Sequence, residues 1–317
     1  MRYRKLGNSG LKISEIALGG WLTFGNAVED EAAREIIATA FDLGINFFDT
    51  ANVYAQGKCE EFLGAALASR PRSSYVLATK VFFPMGEGPN DRGLSRKHIH
   101  EQCEASLARL NMEYIDLYQC HRFDEETPVE ETIRAMDDLV RRGRICYWGF
   151  SEWTASQIRR AVDICRAGGY AMPISSQPQY NLLARGIERA VIPVCTESGI
   201  GQIVWSPLAQ GLLTGKYKPG EALPNDSRAA DPKQNYFIKA KAQDRDLLTR
   251  IGLIEPLAAS AGITIGQLAL AWILRREEIS ACIVGVSKPT QLVENCRAAK
   301  AIVDPVIFAR LDELFAN

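Results

Sequence analysis

Eight times along this chain a short apolar run gives way to a longer stretch with helical spacing, and that alternation decides the fold class. The runs are SEIALGG (14–20), NFFDT (46–50), YVLATK (75–80), YIDLYQCH (114–121), RICYWGFS (144–151), PISSQPQY (173–180), GQIVWSPL (201–208) and SACIVGVS (280–287). Each is short and rich in β-branched or aromatic residues, which is the pattern of a strand. Helical spacing follows at 30–43, 58–69, 95–110, 127–142, 154–167, 186–199, 246–261, 264–276 and 289–300, with a last helix at 305–316. Asp30 is expected to cap the first helix, Ser95 to open the third, and Pro128 to sit in the first turn of the fourth.

Parallel strands need a crossover, and a helix is the usual one. Eight strand-then-helix units in 317 residues therefore predict an α/β fold, a single (β/α)8 TIM barrel spanning 1–317. The competing doubly wound sheet would carry a glycine fingerprint after an early strand. No G-x-G-x-x-G and no G-x-x-x-x-G-K-[ST] occurs. The opening RYRKLGNSGLKISEIAL alternates around an N-S-G turn, which predicts a β-hairpin capping the barrel floor.

Composition narrows the function classes. Lys plus Arg number 37 and Asp plus Glu 38, for a net charge of −1, which argues against a nucleic-acid or anionic-membrane partner. The eight Cys form no C-x-x-C pair and read as buried thiols in a reducing, cytoplasmic setting. The start lacks an apolar signal core, and no apolar run approaches the roughly 18 residues of a membrane span. The three His, at 98, 100 and 121, make no metal-ligand cluster. One segment, 211–244, is long for a loop, carries several Lys and Arg, and follows the seventh strand. It reads as a lid or clamp over an anionic ligand.

In an eight-stranded barrel the strand C-termini converge on one face, where polar residues read as catalytic. Asp49 ends the second strand, with Tyr54 in the loop beyond it. Lys80 ends the third strand and His121 the fourth. These strands are neighbours, so the four side chains can cluster. A Tyr hydroxyl with a pKa of about 10 is a weak acid at neutral pH. An adjacent Lys is expected to lower that pKa, and a carboxylate to orient the Lys. His121 can donate a hydrogen bond to a carbonyl oxygen. The set suits carbonyl reduction, in which oxygen is protonated while hydride arrives from a nicotinamide. Trp205 is either core or a platform for that ring. Ser287 and Lys288, at the helix start after the eighth strand, suit a phosphate. Lys216 and Arg228, from the long loop, can clamp a pyrophosphate or a 2′-phosphate.

Six pieces, in order, are GINFFDTANVYAQGKCEEFLG, YVLATK, YIDLYQCHRFD, YWGFSEW, WSPLAQGLLTGKY and GVSKPTQLVEN. On them the chain resembles the aldo-keto reductase superfamily, in the branch that holds potassium-channel β subunits and their bacterial relatives. The resemblance covers nearly the whole chain. It implies an NADPH/NADP+-dependent carbonyl reductase with its tetrad on Asp49, Tyr54, Lys80 and His121, acting on a small-molecule carbonyl or alcohol. Ser151 and Gln177 would hold the nicotinamide amide, and Trp205 would stack on the ring. Ser206, Leu208 and Gly211 would lie along the pyrophosphate with Lys216 and Arg228 as clamps. Ser287, Gln291, Glu294 and Asn295 would fall at the adenosine end. Homo-oligomers are also implied for the branch.

Two departures stand out. Channel β subunits usually carry Asn where this chain has His121, which favours an enzyme over an NADPH-binding regulatory subunit. Glu152 stands where many reductases have Asn, so a nicotinamide contact is expected to be lost or replaced, and anionic substrates disfavoured. Trp21, Phe24, Tyr54, Phe82, Phe83, Phe123 and Trp153 are expected to line an aromatic substrate pocket.

Overall fold

A computed structural model of the chain describes residues 1–21, 23–28, 30–225, 227–232 and 234–316. The first two strands, β1 (Tyr3–Lys5) and β2 (Lys12–Ser14), pair antiparallel as the expected hairpin. The next eight are β3 (Ile16–Gly19), β4 (Phe47–Asp49), β5 (Val76–Val81), β6 (Ile115–Cys120), β7 (Ile145–Ser151), β8 (Ser175–Gln177), β9 (Gly201–Val204) and β10 (Ile279–Val284). They are parallel and close into a barrel in chain order, with β10 paired to β3. The helices are α1 (Asp30–Asp42), α2 (Lys58–Leu67), α3 (Arg96–Leu110), α4 (Val129–Arg141), α5 (Ala155–Gly168), α6 (Val191–Ser198), α7 (Arg245–Gly252), α8 (Ile254–Ser260), α9 (Ile265–Leu274), α10 (Pro289–Ala298) and α11 (Pro305–Leu314). No single helix among the described residues is long and apolar enough to cross a membrane.

The strands split their side chains between two cores. Ala17, Phe47, Val76, Ala78, Leu117, Ile203, Ala281 and Ile283 fill the barrel, and the hairpin residues Leu6 and Ile13 join them from below. A second, larger core packs the outer strand faces against the helices. The two-residue period of a strand then fixes what lies above the barrel core. Two residues beyond Phe47 is Asp49, two beyond Ala78 is Lys80, and four beyond Leu117 is His121. The hairpin seals the other end. Gly7, at φ +56°, lies so close to Gly199 that a β-carbon would stand 2.2 Å from its carbonyl oxygen.

Several expected boundaries move, and the causes are local. The helix expected over 246–261 is two helices, α7 and α8, broken at Leu253. Pro256 has no N–H to give to the carbonyl of Gly252, and its ring crowds that carbonyl. The helix expected over 186–199 is a 3-10 turn, Gly186–Arg189, followed by α6, with Ala190 non-helical between them. Pro193 acts there as Pro256 does. The sixth barrel strand shrinks to Ser175–Gln177 because Pro173 and Pro178 cannot donate to a ladder. Asp30 is the first residue of α1 rather than its cap, and Pro128 precedes α4 rather than entering it. Ser95 does cap α3, accepting from the His98 N–H. The segment 211–244 is not an open loop. Tyr217, Ala229, Ile238 and Ala242 bury themselves along it.

One buried ion pair ties α2, α3 and β5 together. The fully buried Glu60 carboxylate accepts from the Thr79 hydroxyl at 2.6 Å and from Arg109 Nε at 2.7 Å. Removing one partner of such a pair leaves an uncompensated buried charge. Arg109→Ala is therefore expected to lower the unfolding free energy by about 3–5 kcal/mol. Urea denaturation monitored by circular dichroism measures it, and a change under about 1 kcal/mol would contradict the assignment.

Candidate active site

The side chain of Lys80 is fully buried at the top of the barrel. Its Nζ donates to Asp49 Oδ2 at 2.7 Å and to the Thr50 carbonyl at 2.7 Å, and it lies 3.3 Å from Tyr54 Oη. The second oxygen of Asp49 accepts from Gln177 Nε2 at 2.8 Å. The loop that carries Tyr54 is laced to β5 by the Thr50 N–H on the Ala78 carbonyl and the Asn52 N–H on the Lys80 carbonyl. It then turns through three consecutive left-handed residues, Ala55, Gln56 and Gly57, before α2 begins. That turn brings the half-buried phenol back over the mouth. His121 completes the group, its ring edge-on to Tyr54 with centroids 5.7 Å apart and to Phe83 at 4.8 Å. All four expected catalytic residues thus meet.

Their protonation follows from burial and from the buried Lys80 ammonium. Burial alone would lower the Lys80 pKa, but Asp49 and Tyr54 outweigh it and hold the ammonium above its usual value. Burial also pushes the Tyr54 phenol up. The Lys80 charge pulls the other way and Asp49 adds to the rise, so the net direction is upward. The expectation that Lys80 leaves Tyr54 with a lowered pKa is corrected on this point: desolvation is the larger effect. Burial first, then the Lys80 and Arg122 charges, hold the His121 imidazole well below the usual histidine value. His121 is neutral at neutral pH, and its buried Nδ1 has no hydrogen-bond partner.

The residues expected to hold a dinucleotide fall into three groups. Ser151 donates its hydroxyl to the Gln177 carbonyl at 2.7 Å and lies 3.4 Å from Arg122 Nη1. Gln177 spends its amide N–H on Asp49, so it braces the tetrad. Trp205, Ser206, Leu208 and Gly211 form one loop beyond β9. Ser206, Ala209, Gln210 and Gly211 have positive φ there. The turn is braced from within, the Ala209 N–H donating to the Ser206 carbonyl and the Gly211 N–H to the Leu208 carbonyl, each at 2.9 Å. The Lys216 side chain lies against it, since a β-carbon on Gly211 would meet Lys216 Cε at 3.1 Å and Nζ at 3.3 Å. Arg228 reaches back from the long segment to stand 5.8 Å above the Trp21 ring, and Phe237 comes within 6.2 Å of the same ring. The third group opens α10. Lys288 is its N-cap and makes no side-chain cap bond. The Ser287 N–H is taken by Gln291 Oε1 at 2.8 Å, Glu294 accepts from the Thr264 hydroxyl at 3.0 Å, and Asn295 is buried.

Two of the aromatic pocket residues are core instead. Phe24 is buried against Phe62, and Trp153 is buried between Phe150 and Phe123. Trp21, Phe82, Phe83 and Phe123 stay partly exposed. Glu152 differs most from expectation. Its Oε1 accepts from the Trp205 indole N–H and from the Gln179 backbone N–H, each at 2.7 Å. The carboxylate is engaged by Trp205. Arg122, which directly follows His121 and which the strand-end pattern does not single out, also borders the group. Its Nη1 donates to the His121 carbonyl at 2.5 Å.

The neutral imidazole has a consequence for stability. Between its depressed folded pKa and the unfolded value of about 6.5, the unfolded chain binds a proton that the folded chain does not. Stability from this group is present above that value and is lost as pH falls below it. Relative to His121→Asn, the wild type should lose up to ~1.4 kcal/mol per pH unit below about pH 6.5. Urea unfolding of both at pH 7.5, 6.5 and 5.5 measures the difference; parallel profiles would mean an ordinary histidine.

The comparisons agree with this geometry. The model of the aldo/keto reductase family matches residues 15–316. A probable voltage-gated potassium channel subunit beta of Arabidopsis thaliana is 42% identical over 322 residues, covering 100% of this chain and 97% of the relative. One from Oryza sativa subsp. japonica is 43% identical over 95% of this chain and 92% of the relative. A putative voltage-gated potassium channel subunit beta of Schizosaccharomyces pombe is 42% identical over 98% and 92%. By its barrel, its tetrad and these matches, the chain belongs to the aldo/keto reductase family.

Proposed function

We propose that the chain is an NADP(H)-dependent oxidoreductase that reduces aldehydes or ketones to alcohols, or runs the reverse. The observation that carries this reading is the tetrad. A buried ammonium fixed by a carboxylate stands beside a protonated phenol and a neutral imidazole. The residues of this chain fit the cofactor. The left-handed turn 206–211 has Lys216 against it, a cation suited to a phosphate. His121, whose buried Nδ1 has no hydrogen-bond partner, stands beside Tyr54 at this end of the barrel. Ser151, Trp205, Ser206, Leu208 and Gly211 would hold the nicotinamide and pyrophosphate, and Ser287, Lys288, Gln291, Glu294 and Asn295 the adenosine end. Lys216 and Arg228 would neutralise phosphate.

When bound, the cofactor would supply hydride to the carbonyl carbon. His121, neutral, donates a hydrogen bond to the substrate oxygen and places it. Tyr54 Oη gives that oxygen its proton as negative charge develops there. The phenolate left behind is stabilised by the Lys80 ammonium, which Asp49 and the Thr50 carbonyl keep in place. In the reverse direction the phenolate takes the alcohol proton. Because burial raises the Tyr54 pKa, reduction should hold steady through neutral pH and fall only in the alkaline range, while alcohol oxidation should climb there. Initial rates in both directions across pH 6 to about 11 measure this, and oxidation that is flat with pH would count against Tyr54 as the base.

Tyr54→Phe is expected to abolish turnover while NADPH still binds; full activity in that variant would remove Tyr54 from the chemistry. Arg228→Ala or Lys288→Ala should narrow the preference for NADPH over NADH. Equal affinity changes for both nucleotides would take these side chains away from the 2′-phosphate.

The names of the relatives favour one further reading, an NADPH-binding regulatory subunit with slow turnover. His121 favours the enzyme, since it supplies the donor that a carbonyl needs. Steady-state rates over a panel of aromatic and aliphatic carbonyls separate the two, since a regulatory subunit would hold NADPH tightly and consume it slowly.

A further inference from the structure

Glu152 is held in an unusual way. Its φ of +59° is left-handed, a conformation that a β-carbon disfavours. The residue nonetheless follows β7 in that form and turns its carboxylate onto the edge of the Trp205 indole. Oε1 accepts there from Nε1 and from the Gln179 N–H, both at 2.7 Å. Trp205 is itself fixed. Its backbone N–H donates to the Pro178 carbonyl at 3.1 Å and its carbonyl accepts from the Tyr180 N–H at 3.4 Å. A negative charge is thus anchored to a rigid aromatic plate at the barrel mouth. The tetrad adds little charge of its own beside it, because Lys80 and Asp49 offset each other.

We propose that Glu152 is a specificity-determining residue that biases this site toward the oxidised nicotinamide. The inference rests on the reading above, in which Trp205 is the platform for that ring. The oxidised ring is a cation and the reduced ring is neutral. The rest of the nucleotide is the same in both, so a fixed carboxylate beside the platform acts on the difference. It favours the oxidised form, and by linkage it makes the bound reduced form a stronger hydride donor. Glu152 therefore does more than replace a lost contact. It fixes the plane of the indole through one hydrogen bond and tunes what lies on it through its charge. Its exposure to water keeps the effect modest, about threefold to tenfold in relative affinity.

The isosteric Glu152→Gln separates the two roles. A glutamine carbonyl can accept from both N–H groups and keeps the plate in place, but it carries no charge. Equilibrium binding of NADP+ and of NADPH to the full chain, by calorimetry or tryptophan quenching, reads the ratio directly. The substitution should weaken NADP+ by about threefold to tenfold and leave NADPH within about twofold. Raising salt should shrink the wild-type ratio toward that of the variant. Equal weakening of both forms, or no change in either, would overturn the proposal while leaving the cofactor reading intact. A wild-type chain that binds neither nucleotide would overturn both.

Discussion

The Lys80–Asp49 pair is the interaction on which the site depends. A fully buried ammonium is unfavourable by several kcal/mol unless it is paired and hydrogen-bonded. Every donor direction of Lys80 is therefore spoken for, by the Asp49 carboxylate, the Thr50 carbonyl and the Tyr54 oxygen. Asp49 passes the constraint on through Gln177, so β4, β5 and β8 are joined across the barrel top. Well-packed apolar residues would hold these strands as firmly. The pair is explained by what a fixed positive charge does to the groups around it.

That charge acts against burial in one neighbour and with it in the other. For Tyr54 the ammonium favours the phenolate and burial favours the phenol, and burial wins. For His121 both the cation and burial disfavour the imidazolium. The outcome is two neutral hydrogen-bond donors beside an ammonium whose charge Asp49 balances. Such a site presents protons to an oxygen that is gaining negative charge, and it lets a proton go only when that charge appears. It has no strong base in its resting form, since Tyr54 keeps its proton and His121 stays neutral.

How much of this can be read from the sequence depends on the kind of information each feature needs. Strand ends are readable because strand side chains alternate between faces, so Asp49, Lys80 and His121 follow from counting along three apolar runs. Interior breaks are less so. The apolar spacing of 246–261 is that of one helix, and only Pro256 meeting the Gly252 carbonyl divides it. Aromatic residues carry no mark of the side on which they pack, and so Phe24 and Trp153 read as pocket and prove to be core. The direction of the Tyr54 shift needs the depth of burial, which no local pattern encodes. The partner of Glu152 lies 53 positions away in the loop after β9, so a substitution that seems to remove a contact in fact makes a different one.

Backbone strain locates the same face without reference to the tetrad. Among the described residues, the non-glycine positions with positive φ are Ala55, Gln56, Asn111, Glu152, Ser206, Ala209 and Gln210. Asn111 is a helix C-cap, where that conformation is ordinary. The other six lie in the loops that follow β4, β7 and β9, all at one end of the barrel. Each left-handed non-glycine residue disfavours folding by about 1 kcal/mol or more. Random loop irregularity would scatter such residues over both ends. Their concentration at the strand C-termini means that the strain is tolerated where it aims side chains at a common end, with the Tyr54 phenol and the Glu152–Trp205 contact as its products. The two-stranded floor at the other end has a single glycine, Gly7, in that region of backbone space and otherwise relaxed geometry. The barrel therefore separates its tasks by end, stability below and directed polarity above.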